Sequence, residues 1–116
     1  MPIGLEELFD RVSKNEKVKG AILIRNGDII KTSLDDNTSK QFVGFAMDII
    51  ERAEGALKRI PDMTGSIGFI TVFLRNNTAV LISRYGEYWM IIIASIEGTE
   101  IDEVNRLVDN IKSILE

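Results

Sequence analysis

The 116-residue sequence contains no cysteine and no histidine, and these two absences exclude several kinds of chemistry. Without cysteine there is no disulfide framework and no thiolate ligand for a metal. Without histidine the chain lacks the usual general base near neutral pH and the commonest zinc ligand. We therefore expect no enzyme activity, no metal and no cofactor, and a protein that acts by being bound.

The chain also lacks a basic cluster and a long apolar run. Its 14 Lys and Arg against 18 Asp and Glu give a net charge of −4, with both signs mixed along the sequence. A basic stripe for a phosphate backbone is missing, so nucleic acid is not an expected partner. The longest apolar run, 89–94, is far too short to cross a bilayer, and the first residues do not resemble a signal peptide. We expect one cytoplasmic domain, 1–116, with no membrane insertion.

Apolar spacing predicts three helices and five strands in the order α-β-β-α-β-β-β-α. The helices are expected over 4–15, over 39–60 and after Gly98-Thr99, where Ile101, Val104, Val108, Ile111 and Leu115 form an apolar stripe. The strands are expected over 18–26, 29–34, 66–75, 78–84 and 89–96. Strands that are apolar on both faces need cover on both faces. We therefore expect an α+β sandwich with the long helix on one face of the sheet and the two terminal helices on the other.

Local signals predict where these elements begin and end. Gly27-Asp28 is expected to form the first hairpin turn, and Asn76-Asn77 the turn before the fourth strand. Thr38 and Gln41 have the spacing of a capping box at the start of the long helix. Pro61 is expected to close that helix.

The long helix carries an unusually wide apolar face. Its apolar residues form one main stripe along the helix and a second stripe beside it. Together the two stripes cover about 200° of the helix circumference, whereas ~100° suffices for packing on a sheet. The main stripe consists of Phe42, Phe45, Ala46, Ile49, Ala53, Ala56, Leu57 and Ile60, and the second stripe of Val43, Met47 and Ile50. A face this wide favours contact with the sheet and with a partner chain.

A family resemblance rests on the segment around the first strand. It consists of Leu5-x-x-Leu8, then Val18-Lys19-Gly20-Ala21-Ile22-Leu23-Ile24-Arg25, with Gly27 two residues on. With the order of elements, it resembles the Roadblock family of dynein light chains and their prokaryotic relatives over nearly the whole chain. The resemblance implies a five-stranded antiparallel sheet of order 2-1-5-4-3, related to profilin-like and longin-like domains. It also implies pairing of two domains through the third strand and the long helix, and binding of a small Ras-like GTPase as adaptor or GTPase-activating partner.

The apolar character of the third strand independently favours a homodimer. An exposed apolar edge strand without proline or lysine invites pairing with another chain, and a two-fold axis would satisfy its main-chain groups. The predicted dimer interface comprises Val43, Met47, Ile50, Ile67, Phe69, Thr71, Phe73 and Arg75. Two alternatives remain: Phe69 and Phe73 as core residues under a helix, and Val43, Met47 and Ile50 covered by the chain itself.

Three further groups of residues have a functional and a structural interpretation. Arg25, Arg75 and Arg84 could supply an arginine finger for GTP hydrolysis, although arginines at strand ends are usually solvated charges. Tyr85, Tyr88 and Trp89 could form a binding spot or cap the end of the sheet. Asp35-Asp36 could bind a cation or be solvated.

A homodimeric, non-catalytic scaffold for a small GTPase is the function that these patterns favour. The alternative is a profilin-like sensor of a small ligand, which needs a pocket between the sheet and a helix. An enzyme has the least support, because the residues for it are missing.

Overall fold

The computed structural model describes residues 4–63 and 65–96 together with Arg106 and Asp109, and contains a five-stranded antiparallel sheet. The order of the strands is β2-β1-β5-β4-β3, as predicted. The strands are β1 (Val18–Arg25), β2 (Asp28–Thr32), β3 (Phe69–Phe73), β4 (Thr78–Tyr85) and β5 (Tyr88–Ser95). The helices with described bounds are α1 (Leu5–Ser13) and α2 (Asp36–Leu57).

The two faces of the sheet bury separate apolar clusters. Side chains alternate along β5, so that Met90 and Ile92 lie under α1 while Ile91 and Ile93 lie under α2. The α1 side adds Leu8, Phe9, Val12, Ala21, Leu23 and Leu81, and the α2 side adds Ile22, Ile24, Val43, Ala46, Ile50, Val80, Ile82 and Trp89. The predicted cover on both faces is therefore present. The predicted final helix, including Ile101, Val104, Val108, Ile111 and Leu115, lies outside the described residues, although Arg106 and Asp109 are helical.

The first hairpin turn lies one residue earlier than predicted. Asn26 and Gly27 are its two central residues, with φ of 51° and 83°, and Arg25 pairs with Asp28 across the turn. A two-residue turn of this kind needs positive φ at both central positions, which Asn and Gly adopt most readily. Asp28 therefore belongs to β2. In the turn before β4, only Asn77 has a positive φ, of 60°.

The start of α2 is capped by Asp35, so the predicted capping box of Thr38 and Gln41 is wrong. The Asp35 carboxylate accepts bonds from the Thr38 amide at 2.8 Å and the Thr38 hydroxyl at 2.9 Å. An aspartate side chain satisfies an open amide of the first turn in this way. α2 consequently begins at Asp36, three residues before the predicted start, and ends at Leu57, three residues before the predicted end.

β3 is shorter than the predicted 66–75, since the strand covers only Phe69–Phe73. The alternation of side chains therefore does not extend back to Ile67. Ile67 packs on the α2 side of the sheet, whereas Phe69 packs on the α1 side. Ile67 and Phe69, both predicted at the dimer interface, therefore lie on opposite sides of the sheet.

Gly20 in the Val-Lys-Gly-Ala motif has a packing role. An added Cβ atom there would lie 2.6 Å from the nearest atom of the Leu34 side chain. Leu34 is half-buried on the chain segment that connects β2 to α2. The absence of a side chain at Gly20 thus lets this connection pack directly on β1.

We predict that Gly20→Ala lowers the free energy of unfolding by about 1–2 kcal/mol, because the Leu34 side chain must move. In a Leu34→Ala background the same change should cost little, and chemical denaturation of the four proteins measures this coupling. Gly44→Ala is the matched control: an added Cβ atom there meets nothing within 4 Å, so it should stabilise helix α2. An equal cost of Gly20→Ala with and without Leu34 would contradict the packing role.

Candidate interaction surface

β3 is an edge strand of the described sheet, and some of its main-chain amide and carbonyl groups point away from β4. The Leu74 amide donates to Thr78 at 2.8 Å, and the Arg84 amide donates to Gly68 at 2.9 Å. These bonds mark the even-numbered residues of β3 as those that face β4, since hydrogen-bonding direction alternates along an antiparallel strand. The amide and carbonyl groups of Thr71 and Phe73 therefore point toward the open edge.

The predicted interface residues divide into two groups by position. Of the residues predicted on the third strand, Ile67, Phe69 and Thr71 are half-buried and Phe73 is 58% exposed, while Arg75 is exposed in the turn after β3. The helix residues do not share that edge: Val43 and Ile50 are buried against the sheet, and Met47 is half-buried beside them. These three side chains already have partners within the protomer. The interface itself stays a prediction.

The exposed apolar flank of α2 is formed by residues that the sequence assigned to the main stripe. Phe45 is 39% exposed, and with Phe42 it lines a groove of about 320 Å³. Leu74, at the end of β3, and Val80 of β4 form its opposite wall, and Gln41 lies at its rim. We call this the α2–β3 groove. It was missed because the sequence shows a wide apolar arc without showing which part faces the sheet.

A polar contact links the first turn of α2 to β2. The hydroxyls of Thr32 and Ser39 lie 2.8 Å apart, and the Leu34 amide donates to the Thr32 hydroxyl. Ser39 is fully buried in the first turn of the helix, so this contact ties the helix to β2. Further along the helix, Val43 and Ala46 lie against the sheet, while Phe45 is 39% exposed.

Two of the three candidate arginines are held against aromatic rings. Arg25 pairs with Glu87 at 2.6 Å, and its guanidinium lies 5.4 Å from the Tyr88 ring centre. The Arg84 guanidinium lies 5.7 Å from the Trp89 ring centre. Cross-strand stacking of this kind fits structural anchoring of the sheet end.

The aromatic residues around the β4–β5 turn do not form one spot. Tyr85 and Tyr88 pack on the α1 side, and Trp89 is buried on the α2 side. This arrangement fits the interpretation that they cap the end of the sheet.

The acidic pair Asp35-Asp36 is occupied by contacts within α2. The two bonds from Thr38 lower the pKa of the Asp35 carboxyl below its ordinary value, and Asp36 pairs with Lys40 at 3.0 Å. Within the described ranges, no group of three or more metal-ligating side chains comes together. These contacts fit the interpretation of the pair as a helix cap and a surface charge.

Two buried hydroxyls on the α1 side of β4 have no hydrogen-bond partner among the residues that the structure describes. They belong to Ser83 and Tyr85, which lie two residues apart on the strand. Burial raises the pKa of the Tyr85 phenol well above its ordinary value. An unpaired buried hydroxyl costs free energy, so Tyr85 contributes to stability through its ring rather than through its oxygen.

Comparison with solved structures shows what kind of domain this is. A Roadblock/LC7 domain from Streptomyces avermitilis matches with a TM-score of 0.68 and 20% identity, over 82% of this chain and 81% of that one. MglB from Myxococcus xanthus matches with a TM-score of 0.71 and 14% identity, over 94% and 89%. The gliding protein MglB from Thermus thermophilus matches with a TM-score of 0.69 and 10% identity, over 99% and 94%.

The chain therefore has an α+β sandwich fold, and within that class its fold is that of the Roadblock/LC7 and MglB structures. No protein-family model matches the sequence, and no curated protein matches it. Of the helices in the described part of the chain, none is long and apolar enough to cross a membrane.

We predict that Tyr85→Phe leaves the protein at least as stable as the parent, and raises the free energy of unfolding by up to about 1 kcal/mol, because it removes an unpaired buried hydroxyl. Chemical denaturation of the two proteins measures the difference. Tyr85→Ala is the control, and it should be clearly less stable because the ring is lost. A marked loss of stability in Tyr85→Phe would show that the hydroxyl has a partner, such as a buried water.

Proposed function

We propose that this protein is a homodimeric scaffold that binds a small Ras-like GTPase, as adaptor or GTPase-activating partner. One observation carries the proposal: β3 is an open sheet edge that lies beside the exposed apolar flank of α2. The likeness to Roadblock/LC7 and MglB structures supports it.

The β3 edge favours pairing with its own copy. The outward main-chain groups of Thr71 and Phe73 need partners, and a second β3 in antiparallel orientation supplies complementary ones. Pairing would also bury part of the exposed Phe73 ring, and full burial of such a side chain contributes roughly 1.5–3 kcal/mol. Both effects occur twice in a dimer, because a two-fold axis repeats every contact.

Such pairing would produce an extended platform. The two-fold axis between antiparallel strands runs perpendicular to the sheet, so both copies of α2 lie on the same face. A ten-stranded sheet with two long helices on one side then offers a broad surface with two-fold symmetry. A GTPase that docks there would contact rigid helices and strands, which suits a role in positioning its switch segments.

The likeness to MglB supports an assembly of several chains. One similar structure is described as MglB with a tetrameric arrangement, and it matches over 99% of this chain with a TM-score of 0.64 and 10% identity. The alternative sensor role would need space between the sheet and α2. In the protomer, that layer is occupied by fully buried side chains, including Ile22, Ile82 and Ile91.

We predict that Phe73→Glu converts the dimer to a monomer without loss of secondary structure, because the ring is 58% exposed and its replacement leaves the core intact. Light scattering behind a sizing column measures the mass. Ile30→Glu is the matched control: Ile30 is 49% exposed on the opposite edge strand, so this variant should remain dimeric. Thr71→Pro removes an outward amide and should also give a monomer. Parent-like dimers from both β3 variants would refute this interface.

We predict that the dimer binds a small Ras-like GTPase of the same organism in a nucleotide-dependent manner. Binding of GDP-loaded and GTP-analogue-loaded GTPases is measured by titration, with Phe73→Glu expected to weaken it and Ile30→Glu to leave it unchanged. Single-turnover GTP hydrolysis then separates an activating role from an adaptor role. If no GTPase binds in either state while a metabolite raises the melting temperature, the sensor function replaces this proposal.

A further inference from the structure

The β1–β2 turn is the one place in the sequence where a glycine follows an asparagine. Asn26 is exposed, and its side chain makes no hydrogen bond within the described part of the chain. The Gly27 amide likewise donates no hydrogen bond to a described residue. The side-chain amide of Asn26 therefore lies next in the chain to a main-chain nitrogen that has no hydrogen-bond partner there.

The glycine leaves room for a reaction between these two amides. Any other residue at position 27 would carry a side chain beside the main-chain nitrogen, whereas glycine carries only hydrogen atoms there. An added Cβ atom at Gly27 would meet nothing within 4 Å, so neighbouring residues do not cover this side of the turn. When the exposed turn opens locally, the Gly27 nitrogen can approach the side-chain carbonyl carbon of Asn26.

Asn77 provides an internal comparison. It also lies in a turn with a positive φ, of 60°, but the residue after it is Thr78, which is buried and branched at Cβ. The Asn77 carbonyl accepts a bond from the Ile96 amide at 2.8 Å, which ties this turn to the residue after β5. Crowding and this tie both hinder approach of the Thr78 nitrogen, so we expect Asn77 to stay unreactive under conditions that convert Asn26.

We propose that Asn26 is a spontaneous modification site, at which the Gly27 nitrogen displaces the side-chain amide as ammonia. A bond forms from the Gly27 nitrogen to the side-chain carbonyl carbon of Asn26 and closes a succinimide ring, while the bond from that carbon to the side-chain nitrogen breaks. Solvent base removes the Gly27 amide proton, and water protonates the departing nitrogen. Water then opens the ring at either carbonyl, so that residue 26 becomes aspartate or isoaspartate. The inference does not rest on the proposed dimer.

Both products add a negative charge at an end of the sheet that already carries acidic side chains. Asp28 follows the turn, and Glu87 pairs with Arg25 at 2.6 Å beside it. The new carboxylate is next to Arg25 in the chain and competes with Glu87 for the guanidinium. The net charge, −4 in the parent, becomes one unit more negative, so anion exchange separates the products from the parent.

The two products differ in their effect on the β1–β2 hairpin. Aspartate leaves the main chain unchanged and tolerates the φ of 51° at this position. In isoaspartate the main chain runs through the side-chain carbons, which adds one atom to the turn. A two-residue turn has a fixed geometry, so the added atom disrupts the pairing of Arg25 with Asp28. Isoaspartate should therefore loosen β2, which is an edge strand.

Peptide mapping of the full chain after incubation at mildly alkaline pH tests the site. We expect the mass gain of an amide converted to a carboxylic acid at Asn26, with isoaspartate detected by an isoaspartate methyltransferase, and no change at Asn77. Retention of Asn26 in the folded chain, after the unfolded chain in denaturant has converted completely, would refute the proposal. Conversion to aspartate without isoaspartate would show direct hydrolysis and refute the role of Gly27.

Gly27→Asp is the matched variant. It places a side chain on the attacking residue, adds no new side-chain amide, and keeps a residue that tolerates positive φ. Conversion of Asn26 should fall several-fold in this variant. Conversion at the parent rate would contradict the assignment of the Gly27 nitrogen as nucleophile.

Thermal melting of the separated products tests the structural consequence. The aspartate product and an Asn26→Asp variant should melt close to the parent, and the isoaspartate product several degrees lower. An isoaspartate product that melts with the parent would refute the disruption of the Arg25–Asp28 pair. The conversion itself is read from mass and charge, so a monomeric parent would refute the proposed dimer and leave this inference standing.

Discussion

The double-sided apolar character of β5 is the constraint on which the rest of the structure depends. Trp89 to Ala94 are six consecutive apolar residues, and every one of them is buried. Since neighbouring side chains point to opposite faces, no arrangement with a single helix layer could bury them all. α1 and α2 therefore lie on opposite faces, and β1 and β4 flank β5 with the same double-sided pattern.

The two edges of the sheet differ in how they are protected, and this difference is the physical basis of the proposed dimer. At β2 the pairing with β1 is interrupted by a bulge, and Lys31 pairs with Asp10 at 2.9 Å across to α1. Bulges and charged side chains are devices that discourage further strand addition. β3 has a regular register with β4 and ends in the exposed apolar residues Phe73 and Leu74. Of the two edges, β3 is therefore the one better suited to strand addition.

The sequence indicated which residues of the candidate interface are apolar, but not which of them pack inside the protomer. Thr71 and Phe73 were predicted at the interface from the apolar character of the third strand, and this stays a prediction. The sheet order, which the structure confirms, came from the resemblance. Val43, Met47 and Ile50 were also predicted at the interface, because the apolar arc of the long helix is wider than contact with the sheet needs. In the protomer, Val43 and Ile50 pack on the sheet and Phe45 lies outside, a division that the width of the apolar arc does not encode.

The sequence alone determined the number and order of the described elements, since helical and strand periodicity are local properties of the chain. It also determined β1, β4 and β5 to within one residue at each end, because continuous apolar runs end there at glycine, asparagine or charged residues. Only the tertiary structure showed that Leu34 packs on Gly20, that Arg25 and Arg84 lie against the rings of Tyr88 and Trp89, and which flank of α2 is exposed. Each of these depends on residues far apart in the chain, whose contacts no local pattern encodes.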